Sequence, residues 1–235
     1  MFSVRALAAI AVFAITSPPA VAAPLSPGGV IFPTGTSVAA DPDQAGVIVN
    51  DNLIDAAFGA GFFQATYRVQ NRVVLSNTLN TLSFRPRIRD PFNSGGFSER
   101  FDIVAFSLTG FAGFNLLDVD FLTDAQGDKG PTSVSRSADG DLLTFRYGDP
   151  LHNDFLNPPG VRDESLFPAI KTNATRFKNK GTMTLFGRRS DADPNDPLIS
   201  LTITGLATPV VPLPASVFLL LAGIAGLGAL GRKRS

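Results

Sequence analysis

Arginine is the residue in this chain whose spacing first suggests chemistry. Arg85, Arg87 and Arg89 alternate along one run, so a strand there would project all three from one face. Arg68 and Arg72 share a face in the preceding run, and a hairpin around Ser76-Asn77-Thr78 would gather five guanidiniums on one surface. Like charges opposite each other repel, so such a surface needs anions. Planar guanidinium forks bind carboxylates bidentately, which makes Arg68, Arg72, Arg85, Arg87 and Arg89 a candidate patch for an anionic exopolysaccharide. In the alternative reading the protein supplies the anions itself, with Asp118 and Asp120 alternating correctly to partner a solvated face.

The acids suggest a second chemistry. Asp191, Asp193, Asn195 and Asp196 lie within one short stretch, and Asp118, Asp120, Asp124 and Asp128 form a looser set. Closely spaced oxygens suit Ca2+, so Asp191, Asp193 and Asp196 are the candidate calcium ligands. They lack EF-hand spacing, and the same residue types are ordinary turn formers. No other cofactor is expected. With no cysteine there is no disulfide, thiolate metal site or cysteine nucleophile. The single histidine, His152, stands near Asp149 and Asp154 and reads as an exposed loop residue. No Gly-x-Ser-x-Gly elbow offers it a nucleophile. The chain is therefore expected not to be an enzyme; the rival class is a hydrolase acting on matrix polysaccharide through paired carboxylates.

Both ends carry processing signals. Arg5 precedes the apolar run Ala6 to Ile15, which is too short to span a bilayer; Pro18 and Pro19 then break it, and Ala20-Val21-Ala22 offers small residues for cleavage. Residues 1–22 are expected to be a signal peptide. At the other end, Val211-Pro212-Leu213-Pro214-Ala215 is a proline-stiffened motif, 215–231 carries no charge, and Arg232, Lys233 and Arg234 stop the run. Seventeen helical residues span about 26 Å, the lower edge of a transmembrane helix. The basic end would hold the tail in the cytoplasm.

Motif, apolar helix and basic end together resemble the PEP-CTERM sorting signal of Gram-negative bacteria in its VPLPA-type variant. Leu213 stands where the commoner form has glutamate. The resemblance covers only the tail at 209–235. It implies recognition by an exosortase, a membrane transpeptidase-like cysteine enzyme, with cleavage near Val211 to Ala215. It also implies an inner-membrane stage and delivery to the cell surface or extracellular matrix. The catalytic cysteine would belong to the exosortase, so this chain is read as its substrate.

The body at 23–208 must position whatever chemistry remains. Removing Arg5, Arg232, Lys233 and Arg234, with no acid lost, leaves 16 basic against 20 acidic residues, which disfavours nucleic acid as a partner. Period-two runs dominate: Tyr67–Val69, Leu82–Ile88, Val104–Leu108, Leu117–Phe121, Leu143–Tyr147, Met183–Leu185 and Ile199–Ile203. Gly46 to Val49 adds an early strand, and Asp51 to Phe58 reads as one short helix. Asp149 to Lys180, with weak alternation and several prolines, reads as a long loop or an insertion. The expected fold is all-β, an antiparallel, jelly-roll-like β-sandwich. A calcium-stabilised structural module is a third reading of such a body.

Overall fold

A computed structural model describes residues 23–59, 64–94, 101–115, 117–154, 162–189, 193, 195 and 197–211. The expected signal peptide, Asp191, Asp196 and the tail from Pro212 to the basic end lie outside the described residues.

The alternation seen in the sequence becomes twelve strands. Two short ones, β1 (Ala23–Leu25) and β2 (Val30–Ile31), precede three long ones, β3 (Gly46–Phe58), β4 (Gln64–Ser76) and β5 (Leu82–Ser94). Then follow β6 (Phe101–Leu108), β7 (Leu117–Phe121), β8 (Ser133–Arg136), β9 (Leu143–Asn153), β10 (Pro168–Lys171), β11 (Phe177–Arg189) and β12 (Ile199–Pro209). They form two six-stranded antiparallel sheets, ordered β1-β7-β10-β5-β4-β3 and β12-β11-β6-β9-β8-β2. The only helical turn among the described residues is the 3-10 turn Pro42–Gln44. No helix among them is long and apolar enough to cross a membrane.

After the β3–β5 meander the chain passes repeatedly from sheet to sheet, so side chains of both meet in one core. Phe58 on β3 packs on Phe101 on β6 with ring centres 4.7 Å apart, and Phe106 stacks on Phe145 at 4.6 Å. Phe84 on β5 meets Phe111 edge-on at 5.9 Å. Fully burying one such ring contributes roughly 1.5–3 kcal/mol, which accounts for an interior rich in phenylalanine. Two phenylalanines among the described residues remain exposed, Phe32 and Phe92.

A buried cation locks one end of the sandwich. Arg136, at the end of β8, donates to the carbonyls of Gly140, Leu25, Phe111 and Phe114 at 2.9, 3.2, 3.0 and 2.7 Å. Buried carbonyls without donors are costly, so one side chain here settles four carbonyls from three separate stretches of backbone. The two N-terminal strands are closed by distant partners, Ala23 opposite Val119 and Val30 opposite Ser135.

Two sequence expectations are corrected. Asp51 to Phe58 is not a helix: it continues β3, paired with β4 from Gly46 opposite Ser76 to Phe58 opposite Ala65. Its apolar spacing fits either period, and the neighbouring strand decides. Asp149 to Lys180 is not one long loop, because it holds the end of β9, all of β10 and the start of β11. These pieces are short or polar, and cross-strand pairing creates them.

Candidate functional site

The β4–β5 hairpin forms as expected and gathers the arginines. Arg72 sits opposite Arg85, Gln70 opposite Arg87 and Arg68 opposite Arg89. Val69, Val73, Phe84 and Ile88 fill the alternate positions and face the core. The five arginines therefore share the outer face of the first sheet, where loops partly cover them.

The covered half is internally satisfied. Arg87 is 2% exposed; its Nε donates to the Ser165 carbonyl and its Nη1 to Gln126 Oε1, each at 3.1 Å, while Nη2 pairs with Glu164. Arg85 donates to Ser83 Oγ at 3.2 Å and to Gln44 Oε1 at 3.1 Å, with the Gln44 carbonyl as a third partner. Burial pushes the Arg85 guanidinium down to about 10, so it is still a cation at neutral pH. Phe167 lies between two cations, its ring centre 4.5 Å from the Arg72 guanidinium and 5.2 Å from that of Arg87. Arg72 donates through Nε and Nη2 to both oxygens of Asp51, at 3.1 and 2.9 Å, and Gln70 adds a bond at 2.8 Å. Burial raises the Asp51 carboxyl, but the Arg72 and Gln70 hydrogen bonds outweigh it and hold the group below the usual range.

Internal acids do neutralise the stripe, but not the pair expected. Asp118 pairs with Lys171 at 2.7 Å, and Asp120 accepts the Gly35 and Phe121 N–H groups, both at 2.9 Å. Strand order explains this: β10 lies between β7 and β5, so Asp118 and Asp120 meet β10 and the loops first. Asp124 and Asp128 likewise accept backbone N–H groups, of Val38 and Glu164. No group of three or more acids or histidines among the described residues could hold a metal ion. Of the calcium candidates only Asp193 is described, and its Oδ1 accepts from Asn195.

His152 is not an exposed loop residue. It lies on β9 opposite Asp102, with Nδ1 2.8 Å from Asp102 Oδ1 and Nε2 3.3 Å from Asp149. Lys129 completes the cluster, 2.7 Å from both Asp149 and Asp163. The pairing of β6 with β9 supplies Asp102, fifty residues away in sequence.

In the other half of the arginine face the side chains are more exposed, Arg68 by 48%. The hairpin register slips between Thr66 and Arg68, with Asp90 in the left-handed region at φ 50°. That conformation costs a non-glycine residue roughly 1–2 kcal/mol. The Asp90 N–H donates to Glu164 Oε1 at 2.8 Å, and Asp90 Oδ2 stands 2.9 Å from Arg89 Nε and 3.3 Å from Arg68 Nε. One carboxylate thus relieves two arginines facing each other across the strands. The extra residue also reverses the alternation of β5. Phe92 has the parity of Phe84 and Ile88, yet it faces outward opposite Thr66 and is 47% exposed. Asp55, Ala57, Thr66, Arg68, Asp90 and Phe92 line a groove of about 440 Å³.

No family model matches the chain, and no curated protein or solved structure does either.

Phe92, Asp55, Asp90, Glu164 and Phe167 were absent from the sequence reading. Asp90-Pro91 was the available signal, because an Asp-Pro pair inside a period-two run marks a break in the ladder.

Proposed function

We propose that this chain is an exported, non-enzymatic surface or matrix protein of a Gram-negative bacterium. Residues 1–22 direct export, and the VPLPA-type tail directs sorting by an exosortase. The body, a jelly-roll-like sandwich, contacts extracellular polysaccharide. The observation that carries the reading is the order along the chain: apolar leader, all-β body, then Val211-Pro212-Leu213-Pro214-Ala215, an uncharged run and Arg232-Lys233-Arg234. Two features agree with it. Among the described residues the strands run from Ala23, next to the expected cleavage point, to Pro209, two residues before the motif. An export signal and a sorting signal would then flank the folded unit without cutting into it. The bilayer helix expected at 215–231 holds the motif beside the outer face of the inner membrane until the exosortase acts.

The test is the intact mass of the protein recovered from the surface and medium of its native host, with and without the candidate exosortase. The expected species starts at Ala23, ends near Pro214 and disappears in the deletion strain. A species keeping Arg232-Lys233-Arg234 in both strains overturns the sorting reading and makes the tail a permanent anchor.

A further inference from the structure

We propose that the end of the sandwich from which the tail leaves is a docking surface for anionic phospholipid headgroups. This rests on reading 215–231 as a bilayer helix, and it adds a contact made by the folded body itself.

Three observations converge. The first is where the chain leaves. The Val210 N–H donates to the Arg176 carbonyl at 3.0 Å, so the chain departs beside the start of β11. Four residue steps separate Val211 from Ala215, where the bilayer helix is expected, and fully extended they reach about 14 Å. The polar zone of a bilayer is itself roughly 5–7 Å deep on each side. This end of the body therefore lies among the headgroups or just above them. The second is charge. Arg176, Lys178 and Lys180 stand exposed where β11 begins, on the strand that holds the exit through Phe177 opposite Pro209 and Lys178 opposite Thr208. On the other flank of the exit, where Gly113 lies against Val211, Asp141 is taken up by the Gly110 and Ala112 N–H groups. The third is apolar surface. β3 ends its sheet, and a free edge is ordinarily blunted with charge. Here Val47, Ile48 and Val49 follow each other at its start, and all three are exposed. Leu79 joins them, because the Asn77 N–H donates to the Ala45 carbonyl and ties the β4–β5 turn to β3. Val49 lines a cleft of about 340 Å³ with Leu75, Leu82, Arg176 and Phe177, which connects the apolar edge to the cations and the exit. With Val211, five of the eleven exposed large apolar side chains among the described residues gather at this end, so the patch is not a scatter of single residues.

Apolar side chains and cations together select the occupant. Surfaces that settle into a bilayer interface place apolar groups at the acyl boundary and let long cationic side chains reach the phosphates. Each cation near an anionic leaflet favours adsorption about fivefold. Three together give roughly a hundredfold, enough to hold a tethered body in one orientation. The motif from Val211 to Ala215 is then presented at a fixed height above the bilayer rather than on a body free to swing.

The experiment uses the full mature chain, Ala23 to Ser235, reconstituted in vesicles. The chain has no cysteine, so Val47→Cys and Ile199→Cys can each carry a single fluorophore. Ile199 opens β12 and lies about 33 Å along the strand from its exit end at Pro209. Quenching by a lipid with a nitroxide headgroup is read in vesicles of phosphatidylcholine with and without phosphatidylglycerol. The expected result is quenching about threefold or more stronger at Val47 than at Ile199 in the anionic vesicles. Neutral vesicles, high salt, or Arg176→Glu, Lys178→Glu and Lys180→Glu together should each cut the Val47 signal about twofold or more. Equal quenching at the two positions overturns the proposal, and so does a Val47 signal that ignores lipid charge, salt and the substitutions. Self-quenching at Val47 that persists in detergent assigns the face to a second copy and overturns it too. Flotation separates the two readings. A chain that floats with the vesicles through a carbonate wash but leaves Val47 unquenched keeps the bilayer helix and removes the docking surface; a chain that does not float removes both.

Discussion

Phe167 and Phe92 lie against the same outer face of one sheet, each close to arginine, yet one is 2% exposed and the other 47%. The segment from Asp163 to Phe167 explains the difference. It lays Glu164, Ser165 and Phe167 over Arg72 and Arg87 and stops at Asp90, whose N–H Glu164 accepts. On the covered side an aromatic among guanidiniums is part of the fold. At the other end Arg68 and Phe92 are each about half exposed, and Asp90 balances Arg68 and Arg89. Composition is similar at the two ends, so the covering loop decides which of these side chains are buried.

Four substitutions or titrations can break or sharpen this contrast. Phe167→Ala should cost the most, about 3–5 kcal/mol, because it empties a packed site between two cations; urea unfolding measures it. Arg87→Met should follow at about 3 kcal/mol, since it leaves Glu164 partnered only through the Asp90 N–H and strands the Ser165 carbonyl. A value near zero would mean that the loop does not depend on this ion pair.

The third test is acid titration. Asp51 is depressed in the folded chain, so its contribution is present above the ordinary carboxyl range, about pH 4, and is lost as pH falls through the lower folded value. Asp51→Asn should flatten the acid limb of stability below about pH 4, with its largest penalty at neutral pH. An unchanged acid limb would remove the Arg72–Asp51 pair from the account. Smallest of all, Phe92→Ala should shift stability by no more than about 0.5 kcal/mol, as an exposed position does. If Phe92→Ala unfolds the chain as readily as Phe167→Ala, the open end is structural too and the contrast collapses.

Much of this face was legible in the sequence. Arg85, Arg87 and Arg89 share a side because alternation is a local property, and the β4–β5 hairpin follows from two adjacent runs with a turn between them. What covers the face was not legible. Glu164, Ser165 and Phe167 come from a segment more than seventy residues away, and their approach depends on sheet order, which no local pattern encodes. The outward turn of Phe92 was hidden for a related reason: strict alternation from Ile88 sends it inward, and one left-handed aspartate cancels that count. Strands of two to four residues, such as β2, β8 and β10, hold only one or two periods of alternation and exist because longer neighbours present a ladder. The second half of β3 failed differently, since its apolar spacing fits a helix as well as a strand.

The pairings of β1 and β2 set an order in time. Ala23 waits for Val119, and Val30 waits for Ser135, so the first residues of the body to emerge can dock only after half the chain has followed. Closing so large a loop adds entropy cost only slowly with its length, but it does place the step late. The β3–β5 meander, whose strands are neighbours in sequence, can assemble while β1 and β2 are still unattached. The same two strands have few ladder bonds of their own, so in the finished protein they should be the first to let go. Backbone amides between Ala23 and Ile31 should exchange with solvent well before those of β4, marking where the folded state begins to open.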